Sequence, residues 1–320
     1  RDLHLSLRRQ RQMCIRDRME PTALIINEFG EIGLDDLLVE SAIENTLLLE
    51  NGCICCSLRG DLIDTICDLF SKVKNDQIPQ FTRILIETTG LADPSPIVTS
   101  LQCETAVTKR CNMDRVITMV DGMQGISQLR EYEEAVMQVV QANLALISKS
   151  DICTTSEIGA LIDHLNQINP TLVVKTIEHG QIEPTNLFSK DVQVLKPKQI
   201  LGDEKNNNSH LNSVNDGNRG HHNVSSWSLV HEPPVDLVKL RDWLSMIYSL
   251  RPHQMLRMKG LFRVSQSDYP ILLEAVGNVV SPPRWLRNWP DNDPKTRLVL
   301  IFKGLSTTAL ANDFQRHVLS

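Results

Sequence analysis

Short apolar runs alternate with helical periods through the first half of the chain. The runs ALIIN (23–27), TLLLE (46–50), RILIET (83–88), RVITMVD (115–121), LALIS (144–148) and TLVVKTI (171–177) place aliphatic and β-branched residues on consecutive positions. That is the pattern of strands covered on both faces in a parallel sheet. Between them, Leu58, Leu62, Ile66 and Leu69 recur at spacings of three and four, and 130–142 and 156–168 behave alike. Such stripes are amphipathic helices. Strand and helix in alternation predict a doubly wound, mostly parallel α/β sheet of the P-loop NTPase type with right-handed crossovers.

The pattern stops at 201–224, where LGDEKNNNSHLNSVNDGNRGHHNV is polar and rich in asparagine. This reads as a linker, and His210, His221 and His222 within it are either loose metal ligands or solvated side chains. Beyond it the pattern predicts a strand at 227–232, a helix at 235–250, strands near 255–265, 271–280 and 297–303, and a last helix near 306–318. These make a small α+β C-terminal domain over 225–320, distinct from an α/β domain over 19–200.

Residues 1–18 fit neither period. They hold six arginines against two aspartates, and read either as a basic tail or, preferred here, as a non-native or disordered segment foreign to the fold.

Composition narrows the function classes. A hydrophobic fraction of 41% over 320 residues supplies a substantial core, and a formal charge of −6 gives no general attraction to nucleic acid or anionic lipid. No run approaches the roughly 20 apolar residues of a membrane span. The reading is a cytoplasmic protein with reduced thiols, since its eight cysteines follow no disulfide framework.

Two strand ends carry nucleotide chemistry. Glu87 closes one strand and is followed by Thr88, Thr89 and Gly90. Ligands bind beyond the carboxyl ends of strands in doubly wound sheets. There a carboxylate can hold Mg²⁺ through water, and a glycine admits the main chain to a γ-phosphate. The alternative is a strand-capping glutamate beside an ordinary turn. Ser148, Lys149 and Asp151 close another strand as S-K-x-D, a weaker form of the guanine-reading loop in which the carboxylate accepts N1–H and N2–H. A GTPase also needs a G-x-x-x-x-G-K-[ST] loop, and the chain has none. That loop would precede ALIIN by one helix, so the chain reads as an N-terminally truncated copy lacking the first strand and the phosphate loop.

ENGCICCSLRGDL (50–62) sets Cys53, Cys55 and Cys56 within four positions. Zn²⁺ favours tetrahedral thiolate coordination, and three thiolates leave one position open, as suits an exchangeable ion. Cys56 falls at the predicted start of a helix over 57–70, whose dipole lowers a thiol pKa. Redox sensing and buried packing are the alternatives; a bridge between these neighbours would be strained. Cys67 reads as core, and Cys103, Cys111 and Cys153 as ordinary packed thiols. His179 and His231 read as structural.

With these residues in place, NEFGEIGLDDLLVE, ENGCICCSLRGDL, ETTGLADPSPI, SKSD, MLRMKGLFRV, PPRWLRNWP and RLVLIFKG resemble, in sequence and order, the CobW-type metal-chaperone GTPases across 21–318. The resemblance implies GTP and Mg²⁺ as cofactors and Zn²⁺ or Co²⁺ as the transported ion. It implies a client metalloprotein as partner and leaves a homodimer open. Cys53, Cys55 and Cys56 match the metal motif. Glu28, Glu31, Asp35 and Asp36 lie in the matching switch-like stretch, where carboxylates assist Mg²⁺ or the transported metal. Glu87 and Gly90 match the Walker B and γ-phosphate-sensing positions, and Ser148, Lys149 and Asp151 the guanine reader. Ile26 stands where some relatives carry a further glutamate, so a ligand from that position is lost.

The function implied is GTP-hydrolysis-coupled delivery of Zn²⁺ or Co²⁺ to a client. Alternatives are a zinc-binding or storage module without GTPase activity in this truncated chain, and a GTP-gated scaffold with a structural ion.

Overall fold

The computed structural model describes residues 21–26, 46–50, 60–90, 92–188 and 221–320. In the first half the strands are β1 (Thr22–Ile26), β2 (Thr46–Glu50), β3 (Arg83–Glu87), β4 (Ile117–Asp121), β5 (Leu144–Ser148) and β6 (Val173–Thr176). They make two three-stranded parallel sheets, ordered β2-β1-β3 and β4-β5-β6. The expected parallel α/β architecture is present, although no described strand bridges β3 and β4.

The helices follow from their stripes and caps. In α1 (Gly60–Lys74), Leu62, Ile66 and Leu69 are buried, and Lys72 and Lys74 in the last turn oppose the helix dipole. A left-handed Asp76, φ 55°, ends it. Next come α2 (Ser95–Cys103), α3 (Thr105–Thr108), α4 (Gly125–Glu131) and α5 (Glu133–Gln141). A capping box opens α6 (Thr155–Ile168): the Thr154 hydroxyl accepts from the Glu157 N–H, and the Glu157 carboxylate from the Thr154 N–H at 2.8 Å. A short α7 (Pro184–Phe188) follows β6, and the Arg83 guanidinium lies 3.9 Å over the Phe188 ring.

The C-terminal half begins with β7 (Val224–His231), a little ahead of the predicted 227–232 run. Then come α8 (Leu237–Leu250), β8 (Met255–Val264), β9 (Ser267–Val276), β10 (Val279–Val280), β11 (Arg284–Trp285), β12 (Thr296–Lys303) and α9 (Thr307–Phe314). Their sheet is antiparallel, ordered β10-β9-β8-β12-β7 with β11 on β9. Trp227, Trp243 and Phe314 fill the core between this sheet, α8 and α9. The Trp243 and Phe314 rings meet edge-on at 4.8 Å, and the Trp243 N–H donates to Asp313 at 2.9 Å.

The two halves share a core. Val224, Leu256, Val299 and Ile301 of the C-terminal sheet pack with Val136, Val140, Leu161 and Leu165 of α5 and α6. Polar links frame this contact: the Arg257 guanidinium donates to the Val140 carbonyl at 3.1 Å, Gln141 donates to the Leu256 carbonyl at 3.2 Å, and Lys303 pairs with Glu133. Arg257 thereby places a cation at the carboxyl end of α5, where the helix dipole favours one.

Candidate nucleotide site

Parallel pairing puts Asp121, the last residue of β4, directly beside Ser148, the last of β5. The chain after each strand turns sharply. Gly122 donates its N–H to the Ser148 carbonyl at 2.9 Å, and a Cβ on it would lie 2.7 Å from that oxygen, so only glycine fits. Lys149 then adopts a left-handed conformation, φ 58°, which turns its side chain across to β4.

There Lys149 Nζ lies 2.8 Å from Asp121 Oδ2, while Asp121 Oδ1 accepts the N–H groups of Met123 at 2.9 Å and Gln124 at 3.0 Å. Burial pushes the Asp121 carboxyl upward, but the Lys149 hydrogen bond, the Gln124 and Met123 N–H groups and the lysine charge outweigh it and hold it below its ordinary value. Ser148 is buried and donates to the Val120 carbonyl at 3.2 Å; Ser150 donates to the Ile177 carbonyl at 3.1 Å. Asp151 faces His179, Oδ2 to Nε2 at 3.9 Å, and meets no lysine or arginine among the described residues.

Glu87 ends β3 half-buried, and Gly90 is exposed with open space where a Cβ would stand. The Gln138 amide of α5 donates to the Gly90 carbonyl at 2.9 Å and to the Ala92 carbonyl at 3.1 Å. The loop after β3 is thus tied to the helix that Arg257 caps from the C-terminal half. Replacing Gln138 by leucine frees both carbonyls; at about 1 kcal/mol per bond, amide exchange over 88–93 should speed up by roughly thirtyfold. Hydrogen exchange by mass spectrometry measures this, and unchanged protection would remove Gln138 from the role.

The structure therefore brings Ser148, Lys149 and Asp151 together at one strand end and sets Glu87 and Gly90 at another. Sequence reasoning missed Asp121 and Gln138. Asp121 carried a signal, an acidic residue closing an apolar run before glycine; Gln138 carried none. Cys53, Cys55, Cys56, Glu28, Glu31, Asp35 and Asp36 lie outside the described residues, as does Leu91 beside Gly90. Among the described residues no group of three or more His, Cys, Asp or Glu side chains could hold a metal. Cys67, Cys111 and Cys153 are half-buried, whereas Cys103 is exposed rather than packed.

Comparison with known proteins places this geometry in a family. Residues 11–176 match the CobW/HypB/UreG nucleotide-binding domain, and residues 224–318 the cobalamin synthesis protein cobW C-terminal domain. The chain belongs to the CobW family of nucleotide-binding proteins. It is 30% identical to the zinc chaperone YjiA of Escherichia coli over 87% of this chain and 84% of that one. To the zinc chaperone CobW of a Sinorhizobium species it is 26% identical, over 87% and 83%. The crystal structure of the Zn(II)-bound YjiA GTPase from E. coli superposes with a TM-score of 0.72 at 24% identity, covering 98% of this chain and 95% of that one, and so shares its fold. Among the described residues no helix is long and apolar enough to cross a membrane.

Proposed function

We propose that the protein is a GTP-dependent zinc chaperone. The observation that carries this reading is the Asp121-anchored Lys149–Asp151 loop at the end of β5, with Glu87 and Gly90 at the end of β3, in a chain that also bears Cys-x-Cys-Cys. Asp151 offers a carboxylate to the N1–H and N2–H of guanine. Lys149, fixed by Asp121, keeps the loop in its left-handed turn. Glu87 would hold Mg²⁺ through water, and the Gly90 main chain would report the γ-phosphate.

The cargo reading rests on Cys53, Cys55 and Cys56. Thiolates suit Zn²⁺, and Co²⁺ second, and an open fourth position lets the ion leave for a client metalloprotein. Names among the relatives support zinc: the YjiA and CobW relatives are zinc chaperones, and a 23%-identical Schizosaccharomyces pombe protein is a zinc-regulated GTPase metalloprotein activator.

The second reading is a zinc-binding module that holds the ion on the same Cys53, Cys55 and Cys56 thiols without nucleotide. The two differ in coupling, because a nucleotide drives release only by binding the loaded and empty states differently. Zinc titrations against a chromophoric chelator, with GTP, GDP or no nucleotide, separate them. The chaperone should bind Zn²⁺ more tightly with GTP, and Cys55→Ala should weaken binding by about tenfold or more, the scale on which ligand-shell changes act. Equal zinc affinity in all three conditions would leave the storage module.

A further inference from the structure

Two glutamines on one side of α5 join the loop after β3 to the C-terminal sheet. Gln138 and Gln141 stand three residues apart, so their side chains leave the helix as neighbours. Among the described residues, Gln138 hydrogen-bonds only to the loop, at the Gly90 and Ala92 carbonyls. Gln141 is 1% exposed and donates in two directions: to Ser95 Oγ at 3.1 Å, where α2 begins, and to the Leu256 carbonyl of β8 at 3.2 Å. The loop is thus held near both its ends, and one of those holds reaches the other half of the molecule.

The far side of the contact is equally specific. The Leu256 carbonyl also accepts the Gly277 N–H at 2.9 Å, so a single oxygen carries Gln141 on one side and the turn between β9 and β10 on the other. That turn is tight, with Gly277 at φ 54°. Helix α2 runs past it: Thr99 Oγ1 lies 3.9 Å from the place a Cβ on Gly277 would take.

One atom in this network lacks a partner. Gln141 Oε1 is buried and accepts no hydrogen bond among the described residues. A buried acceptor left unmade is costly, and native structures carry few. Ser95 holds a donor beside it, but that hydroxyl is committed to Asp93 Oδ1 at 2.6 Å, an oxygen that also accepts the Ser95 N–H at 2.8 Å.

We propose that Gln141 is a positioning residue that relays the state of the loop after β3 to β8 and the β9–β10 turn, by exchanging the Ser95–Asp93 hydrogen bond for a Ser95–Gln141 one. Turned to Gln141 Oε1, the Ser95 hydroxyl satisfies the orphaned oxygen and loosens Asp93, three residues beyond Gly90. Two discrete arrangements of the same groups form the bistable element through which one site can bias another. The relay rests on the reading of Gly90 as the group that meets the γ-phosphate: capture of the phosphate moves the loop, and the C-terminal half responds through one amide.

Hydrogen exchange on the full chain tests this first without nucleotide, as a double-mutant cycle. Gln138→Leu, which releases the loop, should speed exchange over 275–279, where the Gly277 N–H lies, by roughly fivefold, the scale of coupling within one hydrogen-bond network. With Gln141→Leu already present it should add nothing there. Ser95→Ala, at a half-buried helix start, should silence the response in the same way while leaving Gln141 in place. Equal acceleration in all backgrounds, as a merely structural Gln141 would give, or none in any, overturns the relay. GTP against GDP is the second arm. A change over 88–93 with none over 275–279 overturns the relay and keeps the nucleotide reading; coupling in the cycle with no response to either nucleotide overturns the nucleotide reading and keeps the relay.

Discussion

Lys259→Met should make the protein more stable at neutral pH, not less. Lys259 sits on β8 with its side chain 8% exposed, on the same face as Arg257 and turned toward the nucleotide half. Glu274, opposite it on β9, lies 3.9 Å away and also faces Arg284 at 4.0 Å. One half-exposed carboxylate serves two cations, with Arg257 and Arg115 adding further repulsion. Burial therefore pushes the Lys259 ammonium down to about 8, from an ordinary 10.5, despite Glu274.

The sign follows from proton counting. Between pH 8 and 10.5 the unfolded chain holds a proton that the folded chain has released, so stability rises with pH across that window. Below pH 8 both states are protonated and the full desolvation cost is felt. At 1.36 kcal/mol per pKa unit that cost is on the order of 3 kcal/mol, which methionine removes while keeping the side chain's volume. Glu274 keeps Arg284 as a partner. Urea midpoints at pH 7 and pH 10 check this: wild type should gain stability on going to pH 10, and the variant should start higher and show no such gain. A variant less stable than wild type at pH 7 would mean that Lys259 makes an attraction stronger than its desolvation.

This cation also shows where the sequence ceases to inform. The strands of the nucleotide half were legible because continuous apolar runs need cover on both faces: β2 to β6 fall within or on the runs so read, and β1 is shifted from its run by one residue. The position of S-K-x-D at a strand end was legible because the motif lies within four consecutive residues and follows directly on the LALIS run. MLRMKGLFRV, by contrast, alternates Arg257 and Lys259 with apolar positions, as a strand with one solvent face would. It is the packing of α5 and α6 that covers them, and that contact joins residues more than a hundred positions apart. Asp121 and Lys149 are likewise joined only by parallel register between β4 and β5. Helix ends were read least well: α1 runs on to Lys74, whereas its stripe suggested an end at 70, because an apolar period marks the buried face and not the last turn.

Asp121→Ala should produce the largest loss of stability in the nucleotide half. The carboxylate is 3% exposed and holds three donors: Lys149 Nζ and the N–H groups of Met123 and Gln124. Alanine leaves both main-chain donors in a partly buried turn without their acceptor, and Lys149, 28% exposed, must find water instead. Removing one partner of a buried charge pair costs about 3–5 kcal/mol, and the partial exposure of Lys149 places this case near 3 kcal/mol. Asp121→Asn keeps an acceptor for the two N–H groups but loses the charge, so it should fall between wild type and alanine. Because the Asp121 carboxyl is held below its ordinary 3.8, its contribution is present above that pH and is lost as pH falls through the folded value. Wild type should therefore lose stability more steeply than Asp121→Asn on acidification below about pH 4, the ordinary carboxylate range. The same variants report on function: with Asp121→Asn still folded but Lys149 released, guanine nucleotides should bind more weakly while zinc binding without nucleotide is unchanged. If chemical denaturation places alanine and wild type within 1 kcal/mol of each other, about the worth of one ordinary hydrogen bond, Asp121 does not anchor the loop and Lys149 takes its left-handed turn for another reason.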